Sequence, residues 1–263
     1  MPESAAGPTV LTILLPVRND GINLRVMLKM LRGMVEVPYE VLVVHDSPDD
    51  DGIPVVETAR RSDGNVHAVH NTLGRGVVNA IRAGVARATG KYVLIFAADE
   101  VGPVLAIDDM LALMERGCDF VSCTRYAFGG RRLGGSAVGG FLSRTANRLF
   151  HRLAGSRFTD STTGIKMFRR EVFDRLGIEA RPVGWVIAFE MAMKAELAGL
   201  RLGEVPIISI DRLYGGRSTF RLGPWFGEYL RWFLWGAGHL RRAPSDRVVL
   251  RPRDPTSLRE ARP

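Results

Sequence analysis

The chain is poor in cysteine and contains no long uninterrupted apolar run. Its 263 residues include two cysteines, Cys118 and Cys123, which provide neither a disulfide framework nor a full zinc ligand set. No stretch of about 18 uncharged apolar residues occurs, so the sequence predicts no transmembrane helix. The opening residues, MPESAAGPTV, lack a basic stretch followed by an apolar one, and we expect no signal peptide. A hydrophobic content of 46% excludes a wholly disordered chain.

Lysine is also scarce, and arginine carries most of the positive charge. Only four of the 36 basic residues are lysine. Arginine binds phosphate through paired hydrogen bonds, which suits a phosphate-handling protein, although a genome that favours arginine codons explains the same composition. Half of the net charge of +8 falls in residues 241–263, and we predict a disordered basic tail over 243–263 and a flexible N-terminus over 1–8. Nucleic acid is not expected as a partner, because no basic–aromatic ladder or finger spacing occurs.

Short apolar runs alternate with amphipathic stretches along the chain. Continuous apolar runs are typical of strands covered on both faces, and glycine or proline marks several helix ends. The pattern predicts an α/β fold with a mostly parallel sheet and helices on both faces. The predicted strands are 10–15, 39–44, 66–70, 92–97, 119–123, 165–168 and 205–210, and the predicted helices are 22–34, 54–61, 76–89, 103–116, 136–153, 185–198 and 224–240.

Polar residues follow four of the predicted strands. In open parallel sheets ligands bind beyond the carboxyl ends of the strands, so these residues should meet at one edge. The segments are PVRND (16–20), HDSPDDD (45–51), ADE (98–100) and TRY (124–126). Carboxylates gathered in one crevice need a counter-ion, and hard oxygen ligands beside phosphate indicate Mg²⁺ or Mn²⁺. Capping of turns is the favoured interpretation for Asp49, Asp50 and Asp51 taken singly, and function is favoured for Asp99.

Several segments also carry a family resemblance in their order and spacing. They are PVRND (16–20), VVHDSPD (43–49), the glycine-spaced helix from Gly74 to Gly90, FAAD (96–99), DFVSCTRY (119–126), TDSTTGIKMF (159–168), Phe189-Glu190, Glu204-Val-Pro206, Asp211-Arg212 and Gly216-Arg-Ser218. Over about residues 9–220 the chain resembles family 2 glycosyltransferases of the Rossmann-like GT-A fold, within the dolichyl-phosphate mannosyltransferase-like branch. Any one motif is weak, but the ordered series is specific.

The resemblance implies a nucleoside diphosphate sugar as the donor. It places the nucleotide sugar on Pro16, Arg18, Asp20, Val44, Asp46, Ala98 and Asp99, and phosphate groups on Arg125, Arg212, Arg217 and Ser218. The leaving diphosphate gains charge in the transition state, where a divalent ion and arginine stabilise it. The expected catalytic residues are Asp99, Arg125, Asp160 and Glu190. A phosphate acceptor needs little general base, whereas a hydroxyl acceptor would need one such as Glu190 or Asp160.

Two carboxylates of the family pattern are replaced in this chain. Ala97 stands at the first aspartate of the "D-x-D" motif, and His45 stands at the first aspartate of the "D-D" pair. The predicted Mg²⁺ or Mn²⁺ site therefore rests on Asp99, with Glu100 beside it, and the alternative is a site that holds no metal tightly. Whether Asp99 still holds a metal without an aspartate at position 97 distinguishes a working enzyme from a degraded domain that only binds nucleotide sugar.

Residues 221–242 form an aromatic and basic segment. Trp225, Trp232 and Trp235 lie among arginines, which is typical of a helix at a membrane interface, and packing on the catalytic domain or on a partner subunit is the alternative. Residues 129–135 (GGRRLGG) predict a mobile basic loop over the acceptor or diphosphate, or a plain linker. We expect a cytoplasmic protein at the inner face of the cell membrane, and homo-oligomerisation stays open.

The expected function is transfer of a hexose from the nucleotide sugar to a polyprenyl phosphate, with inversion, in the assembly of a cell-envelope glycan. The alternative enzyme uses another acceptor in polysaccharide or glycolipid assembly. The alternative from another class is the degraded GT-A domain.

Overall fold

The segments fold into ten strands and eight α-helices within the part of the chain that the structure describes. The computed structural model describes residues 8–134, 137–210, 222–241 and 249–250. The strands are β1 Leu11–Val17, β2 Tyr39–His45, β3 Val66–His70, β4 Tyr92–Ile95, β5 Phe120–Thr124, β6 Arg131–Leu133, β7 Lys166–Arg169, β8 Leu202–Pro206, β9 Ile208–Ile210 and β10 Val249–Leu250. The helices are α1 Gly21–Met34, α2 Ile53–Ser62, α3 Val77–Arg87, α4 Ile107–Glu115, α5 Ala137–Ala154, α6 Val172–Arg175, α7 Val186–Leu197 and α8 Leu222–Leu240, and a 3₁₀ helix, Gly102–Ala106, leads into α4.

Eight strands form one mostly parallel sheet in the order β10-β8-β5-β7-β4-β1-β2-β3. Strand β7 is the exception, because it runs antiparallel to both of its neighbours, β4 and β5. Strands β6 and β9 form a separate two-stranded parallel sheet. The predicted α/β architecture, a mostly parallel sheet with helices on both faces, is confirmed.

Two hydrophobic cores lie on opposite faces of the large sheet. Successive side chains of a strand alternate between its faces, so Ile13 of β1 belongs to one core and the next residue, Leu14, belongs to the other. Helices α1, α2 and α4 cover the first core, and α3, α5, α7 and α8 cover the second. Gly84 of α3 allows a close approach, because a Cβ atom there would collide with Leu14. Burial on both faces explains why the central strands are continuous apolar runs.

Three sequence predictions differ from the structure. The predicted strand 205–210 is split, because β8 ends at Pro206 in the large sheet and β9 then pairs with β6. The predicted mobile loop 129–135 contains strand β6, which is tied down by a hydrogen bond of 2.9 Å from Arg131 N to Ile207 O. Val249 and Leu250 lie in the predicted disordered tail, yet they pair with β8.

Candidate active site

Five chain segments meet at one edge of the large sheet. Strands β1, β2, β4 and β5 are parallel in direction and deliver their carboxyl ends to this edge. Pro16 pairs with Val44, so the segments after β1 and β2 are neighbours. Because β7 runs the other way, the segment that precedes it, 159–165, reaches the same edge between β4 and β5. The topology therefore gathers the predicted groups from 16–20, 44–46, 98–100, 125 and 160.

Asp46, after β2, shapes the glycine turn that follows β3. Its Oδ1 accepts a hydrogen bond from Asn71 Nδ2 at 2.7 Å, and its Oδ2 accepts one from Gly76 N at 3.0 Å. Gly76 has a φ of 119°, which favours glycine. The half-buried Asp46 carboxylate thus fixes a turn at the start of α3 on the side of the site predicted for the nucleotide sugar.

The neighbouring aspartates of the 45–51 segment have structural roles. Asp50 is buried, and its carboxylate accepts hydrogen bonds from Asn19 N and Gly52 N, both at 2.9 Å. Asp51 Oδ1 accepts one from Gly21 N at 2.8 Å. These bonds hold the loop after β1 against the loop after β2, which agrees with the capping interpretation for these two residues.

The remaining predicted nucleotide-sugar residues line the same loops. Arg18 is exposed, Pro16 and Asp20 are half-buried, and Val44 and Ala98 are buried. Asp20 Oδ1 accepts a hydrogen bond of 2.7 Å from Asn23 Nδ2 in the first turn of α1.

The turn after β4 carries the two carboxylates predicted to bind metal. Asp99 and Glu100 are half-buried, and Glu100 N donates to Ala97 O at 3.2 Å, which closes the turn. Ala97, which lies in the same turn, occupies the sequence position of the first aspartate of the family motif. Asp99 and Glu100 are thus the two acidic side chains that this turn contributes to the edge.

Arg125 and Asp160 form a closely bonded pair at the far side of the edge. Arg125 Nε donates to Asp160 Oδ2 at 2.7 Å, and Nη2 donates to Oδ1 at 3.0 Å. Arg125 N adds a bond of 3.2 Å to Oδ2. Asp160 is completely buried, whereas the Arg125 side chain keeps 12% of its surface exposed. The aspartate therefore fixes the guanidinium in one orientation at the rim of the site.

The electrostatics keep both members of this pair ionised. Burial alone would raise the pKa of Asp160, but the adjacent Arg125 guanidinium outweighs it and holds that pKa below its usual range. Burial would lower the pKa of Arg125, and the Asp160 carboxylate raises it above its ordinary value. A carboxylate held in this way is a weak base.

Helix α5 closes one side of this pair through polar contacts. The Tyr126 hydroxyl donates to Ser143 Oγ at 2.8 Å. The buried Asn147 donates from Nδ2 to Thr162 Oγ1 at 2.8 Å, and its Oδ1 accepts from Ser161 N at 3.0 Å. The inner face of α5 is therefore attached to the turn that carries Asp160.

Two further charged groups lie behind the pair and are fully buried. Lys166 Nζ donates to Ser122 Oγ at 2.7 Å, and burial lowers the pKa of Lys166 to about 8. Glu204 on β8 accepts a hydrogen bond of 2.7 Å from Thr159 N, and burial raises the pKa of Glu204 to about 7. In the sequence, Lys166 and Glu204 are notable only as members of family motifs. A charged residue inside an apolar strand does not reveal which groups it contacts in the fold.

A sequence model of glycosyl transferase family 2 matches residues 12–177, which include β2 to β7, all of β1 except Leu11, and the whole edge described above. The chain belongs to glycosyl transferase family 2. It is therefore a glycosyltransferase, as the motif series predicts.

This family 2 glycosyltransferase is similar to two curated enzymes. One is the polyprenol monophosphomannose synthase of Mycolicibacterium smegmatis, with 27% identity over 214 residues that cover 77% of this chain and 78% of the relative. The other is the dolichol-phosphate mannosyltransferase of Pyrococcus furiosus, with 24% identity over 234 residues that cover 82% of this chain and 64% of the relative. The predicted resemblance to the dolichyl-phosphate mannosyltransferase-like branch is confirmed.

The fold is similar to that of glucosyl-3-phosphoglycerate synthase from Mycobacterium tuberculosis. Its structure with Mn²⁺, uridine diphosphate and glucosyl-3-phosphoglycerate gives a TM-score of 0.65 at 17% identity and covers 92% of this chain and 82% of that one. The structure of the same protein with Mg²⁺ and uridine diphosphate gives a TM-score of 0.64 with the same identity and coverage. This likeness confirms the GT-A fold.

The family 2 chain offers a small donor set for a divalent metal. Among the described residues, no three His, Cys, Asp or Glu side chains converge into a ligand cluster. Mg²⁺ is commonly held by one or two carboxylates together with substrate phosphates, and Asp99 with Glu100 meets that requirement. Asp99 and Glu100 therefore fit a divalent metal of this kind.

The structure does not place Glu190 as a general base. This residue of α7 is completely buried, and its two oxygens accept hydrogen bonds from Glu179 N at 2.6 Å and Ala180 N at 2.7 Å. Lys194 Nζ pairs with it at 2.8 Å. Glu190 thus anchors the 179–180 loop, and a carboxylate with both oxygens engaged in this way cannot take a proton from an acceptor.

The predicted phosphate-binding residues Arg212, Arg217 and Ser218 lie outside the described residues. A cavity of about 400 Å³ beside α2 and the edge strand β3, lined by residues that include Glu40, Arg60 and His67, contains none of the predicted site residues. The sequence predictions omit Asn71 and Asn147. Asn71 follows β3 directly, so inspecting every strand end identifies it, whereas nothing in the sequence connects Asn147 to the Asp160 turn.

Proposed function

We propose that this enzyme transfers a hexose from a nucleoside diphosphate sugar to a polyprenyl phosphate, with inversion at the sugar carbon. The observation that carries the proposal is the Arg125–Asp160 pair, which presents a fixed guanidinium at the same sheet edge as the Asp99 turn. Such a guanidinium is suited to binding phosphate at a point where two anionic substrates must approach each other.

The state of the two candidate bases supports an acceptor that is already ionised. Asp160 is bonded to Arg125, which lowers the pKa of Asp160. Glu190 is buried, and its oxygens accept hydrogen bonds from the backbone of residues 179 and 180. A hydroxyl acceptor needs a group that removes its proton, whereas a phosphate attacks without one. A phosphate oxygen therefore displaces the nucleoside diphosphate in one step, and inversion follows from that single displacement.

In this proposal the donor binds at the carboxyl ends of β1, β2 and β4. The Asp46-bound turn and the Pro16–Asp20 loop hold the nucleoside. Asp99 and Glu100 would hold a divalent metal, which would supply positive charge against the negative charge of the leaving diphosphate. Arg125 orients the acceptor phosphate and screens its repulsion from the donor.

Helices α5 and α8 support contact with a membrane surface. Trp232 of α8 is buried in the second core. One face of this helix therefore packs on the catalytic domain, which is the alternative to membrane contact. The outer surfaces of the two helices expose large apolar side chains, namely Phe141, Leu142, Leu149, Leu153, Phe226, Leu230 and Leu234. No helix among the described residues meets the length and hydropathy needed to cross a bilayer. An interfacial position, with the apolar groups in the headgroup region, fits this surface.

The charge on α5 favours an anionic bilayer. Arg144, Arg148 and Arg152 are exposed at a spacing of four residues, and the helix has no acidic residue. A lipid-bound acceptor would then reach Arg125 from the same side, because Tyr126 and Asn147 connect α5 to the Arg125–Asp160 pair.

The function is tested with purified protein and a panel of nucleoside diphosphate hexoses. We expect nucleoside diphosphate release to need a polyprenyl phosphate and to be negligible with the matching polyprenol. Equal transfer to both would replace the proposal with the alternative acceptor class. Donor binding without any turnover would instead identify a degraded domain.

The membrane contact is tested by sedimentation with vesicles of anionic phospholipid. Substituting Phe226, Leu230 and Leu234 with Ser should release the protein, since these side chains are exposed and leave the core intact. The Arg144→Ser/Arg148→Ser variant should weaken binding most at low salt. A wild-type protein that never sediments with such vesicles would contradict the proposal.

A further inference from the structure

Glu204 binds the backbone of the turn that carries Asp160. Its carboxyl is fully buried on β8, where it is in register with Ser122 of β5. Oε1 accepts hydrogen bonds from Thr159 N at 2.7 Å and from Asp160 N at 3.4 Å. Oε2 lies 3.1 Å from the Thr159 hydroxyl. One side chain thus satisfies two consecutive backbone donors directly beneath the Asp160 carboxylate.

The same contacts extend to the backbone of Arg125. The Thr159 hydroxyl lies 2.7 Å from the Thr124 hydroxyl, and Thr124 directly precedes Arg125. Thr124 Oγ1 also accepts a hydrogen bond of 3.2 Å from Tyr126 N. Glu204 is therefore connected to Arg125 by two short routes, one through the Asp160 carboxylate and one through the end of β5.

We infer that Glu204 is a positioning residue of this enzyme, which sets the orientation of the Arg125 guanidinium through the Thr159–Asp160 turn. The inference deepens the proposed function, since it rests on Arg125 as the group that meets the phosphate. Glu204 itself is too deeply buried to touch a substrate.

The contacts depend on Glu204 as a hydrogen-bond acceptor rather than on its charge. The charged and titratable groups that face it are Asp160, Lys166 and Cys123. Burial raises the pKa of Glu204 to about 7, so both protonation states are populated near neutrality. Oε1 can accept the two backbone bonds in either state. Glu204→Gln keeps that acceptor and should therefore preserve the arrangement, whereas Glu204→Ala removes it.

Glu196 provides a matched control on α7. It is equally buried and holds the preceding turn, with bonds of 2.5 Å from Ser156 Oγ and 2.8 Å from Arg157 N. These bonds fasten residues 156 and 157, which precede the Thr159–Asp160 turn. Glu196→Ala should therefore lower thermal stability much as Glu204→Ala does, without moving Arg125.

The first measurement is the NMR signal of the Arg125 Nε–H group, assigned by its loss in Arg125→Lys. Glu204→Ala should move this signal toward the shifts of exposed arginines and speed its exchange with water. Glu204→Gln and Glu196→Ala should leave it in place. A signal that Glu204→Ala does not move, or that Glu196→Ala moves equally, would overturn the inference.

The second measurement is steady-state kinetics with nucleotide sugar and polyprenyl phosphate. Glu204→Ala should lower kcat at least about tenfold while the donor KM changes less than about twofold, and Glu204→Gln should restore kcat to within about threefold of wild type. Equal losses of kcat in Glu204→Ala and Glu196→Ala at matched Tm would mean a purely structural role. A wild type that transfers no sugar would defeat the proposed function, while the NMR signal would still decide the role of Glu204.

Discussion

The two halves of the candidate active site use their charged residues differently. At the β1–β4 half, Asp46, Asp50 and Asp51 direct their oxygens to backbone N–H groups of neighbouring loops. At the β5–β8 half, Arg125 and Asp160 bind each other, and Lys166 and Glu204 lie buried behind them. The first half is a set of loops fastened by single carboxylates, and the second is one connected network.

This difference predicts how each half responds to substitution. A carboxylate that fastens a loop can be replaced at the cost of one or two hydrogen bonds. Removal of Arg125 or Asp160, by contrast, leaves the other member of the ion pair buried, charged and unpaired. Changes in the β1–β4 half should therefore act locally, and changes in the β5–β8 half should alter stability and activity together.

Asp99 should show the largest effect, because the proposed function gives it a chemical role, that of holding the metal. Asp99→Asn is expected to lower kcat/KM by about 10²- to 10³-fold while the circular dichroism spectrum stays unchanged. Turnover assays across Mn²⁺ and Mg²⁺ concentrations measure this, with Ala97→Asp as the companion variant, which should bind metal more tightly. Equal wild-type turnover in excess chelator would exclude the metal role.

Arg125→Ala should lower kcat/KM for polyprenyl phosphate by about tenfold to a hundredfold, the cost of one charge-assisted phosphate contact. It should also lower Tm, because Asp160 is left buried and unpaired. The double variant Arg125→Ala/Asp160→Asn should recover stability but not activity, as measured by calorimetry and kinetics. If stability and activity recover together, Arg125 has only a structural role.

Lys166 should make stability depend on pH in the alkaline range. Burial lowers its pKa to about 8, so between that pH and its ordinary value of 10.5 the unfolded chain binds a proton that the folded protein does not. The free energy of unfolding should therefore rise with pH across this window, by up to about 3 kcal/mol. The free energies of unfolding of wild type and Lys166→Met, measured by denaturant titration, should diverge across this window. Lys91→Met, at an exposed lysine, is the control and should follow wild type. Parallel curves would show that Lys166 does not titrate in this way.

Asp50→Asn should have the smallest effect. We expect a loss of about 1 kcal/mol in the free energy of unfolding, because one of two backbone bonds is lost, and a donor KM close to that of wild type. Exposed Asp49→Asn is the matched control and should change neither quantity. Loss of donor binding in Asp50→Asn would show that this residue acts on the substrate and not only on its loop. That result would contradict the distinction between the two halves.

The sequence predicts the β1–β4 half well because its signals are local. Each parallel strand is a continuous apolar run, and a polar residue directly after such a run must lie at the carboxyl edge. That rule correctly brings Asp46 and Asp99 to one edge, and it also identifies Arg125 at the start of the β5–β8 half. The family motif at 159–168 adds Asp160 as an expected catalytic residue, and the structure shows it bonded to Arg125.

The β5–β8 half is less predictable because its contacts join residues that are distant in the chain. Glu190 is an acidic residue in one of the family motifs, yet its partners are the backbone of residues 179 and 180 and Lys194. Helix periodicity cannot reveal such partners. Similarly, Pro206 divides one predicted strand between two sheets, and only the pairing of β9 with β6 shows where the second part goes.

The reversed strand β7 has a consequence for how the chain folds. Strand β4 and strand β5 each pair with β7, and β7 begins at Lys166, more than forty residues after β5 begins at Phe120. Until that segment has been synthesised, two fully buried strands each lack a neighbour. Non-local pairings of this kind slow folding, and open strand edges promote association between chains. Nascent chains that end before about residue 170 should therefore depend on chaperones, and the pairing of β7 both joins β4 to β5 and brings the Asp160 turn to the active-site edge.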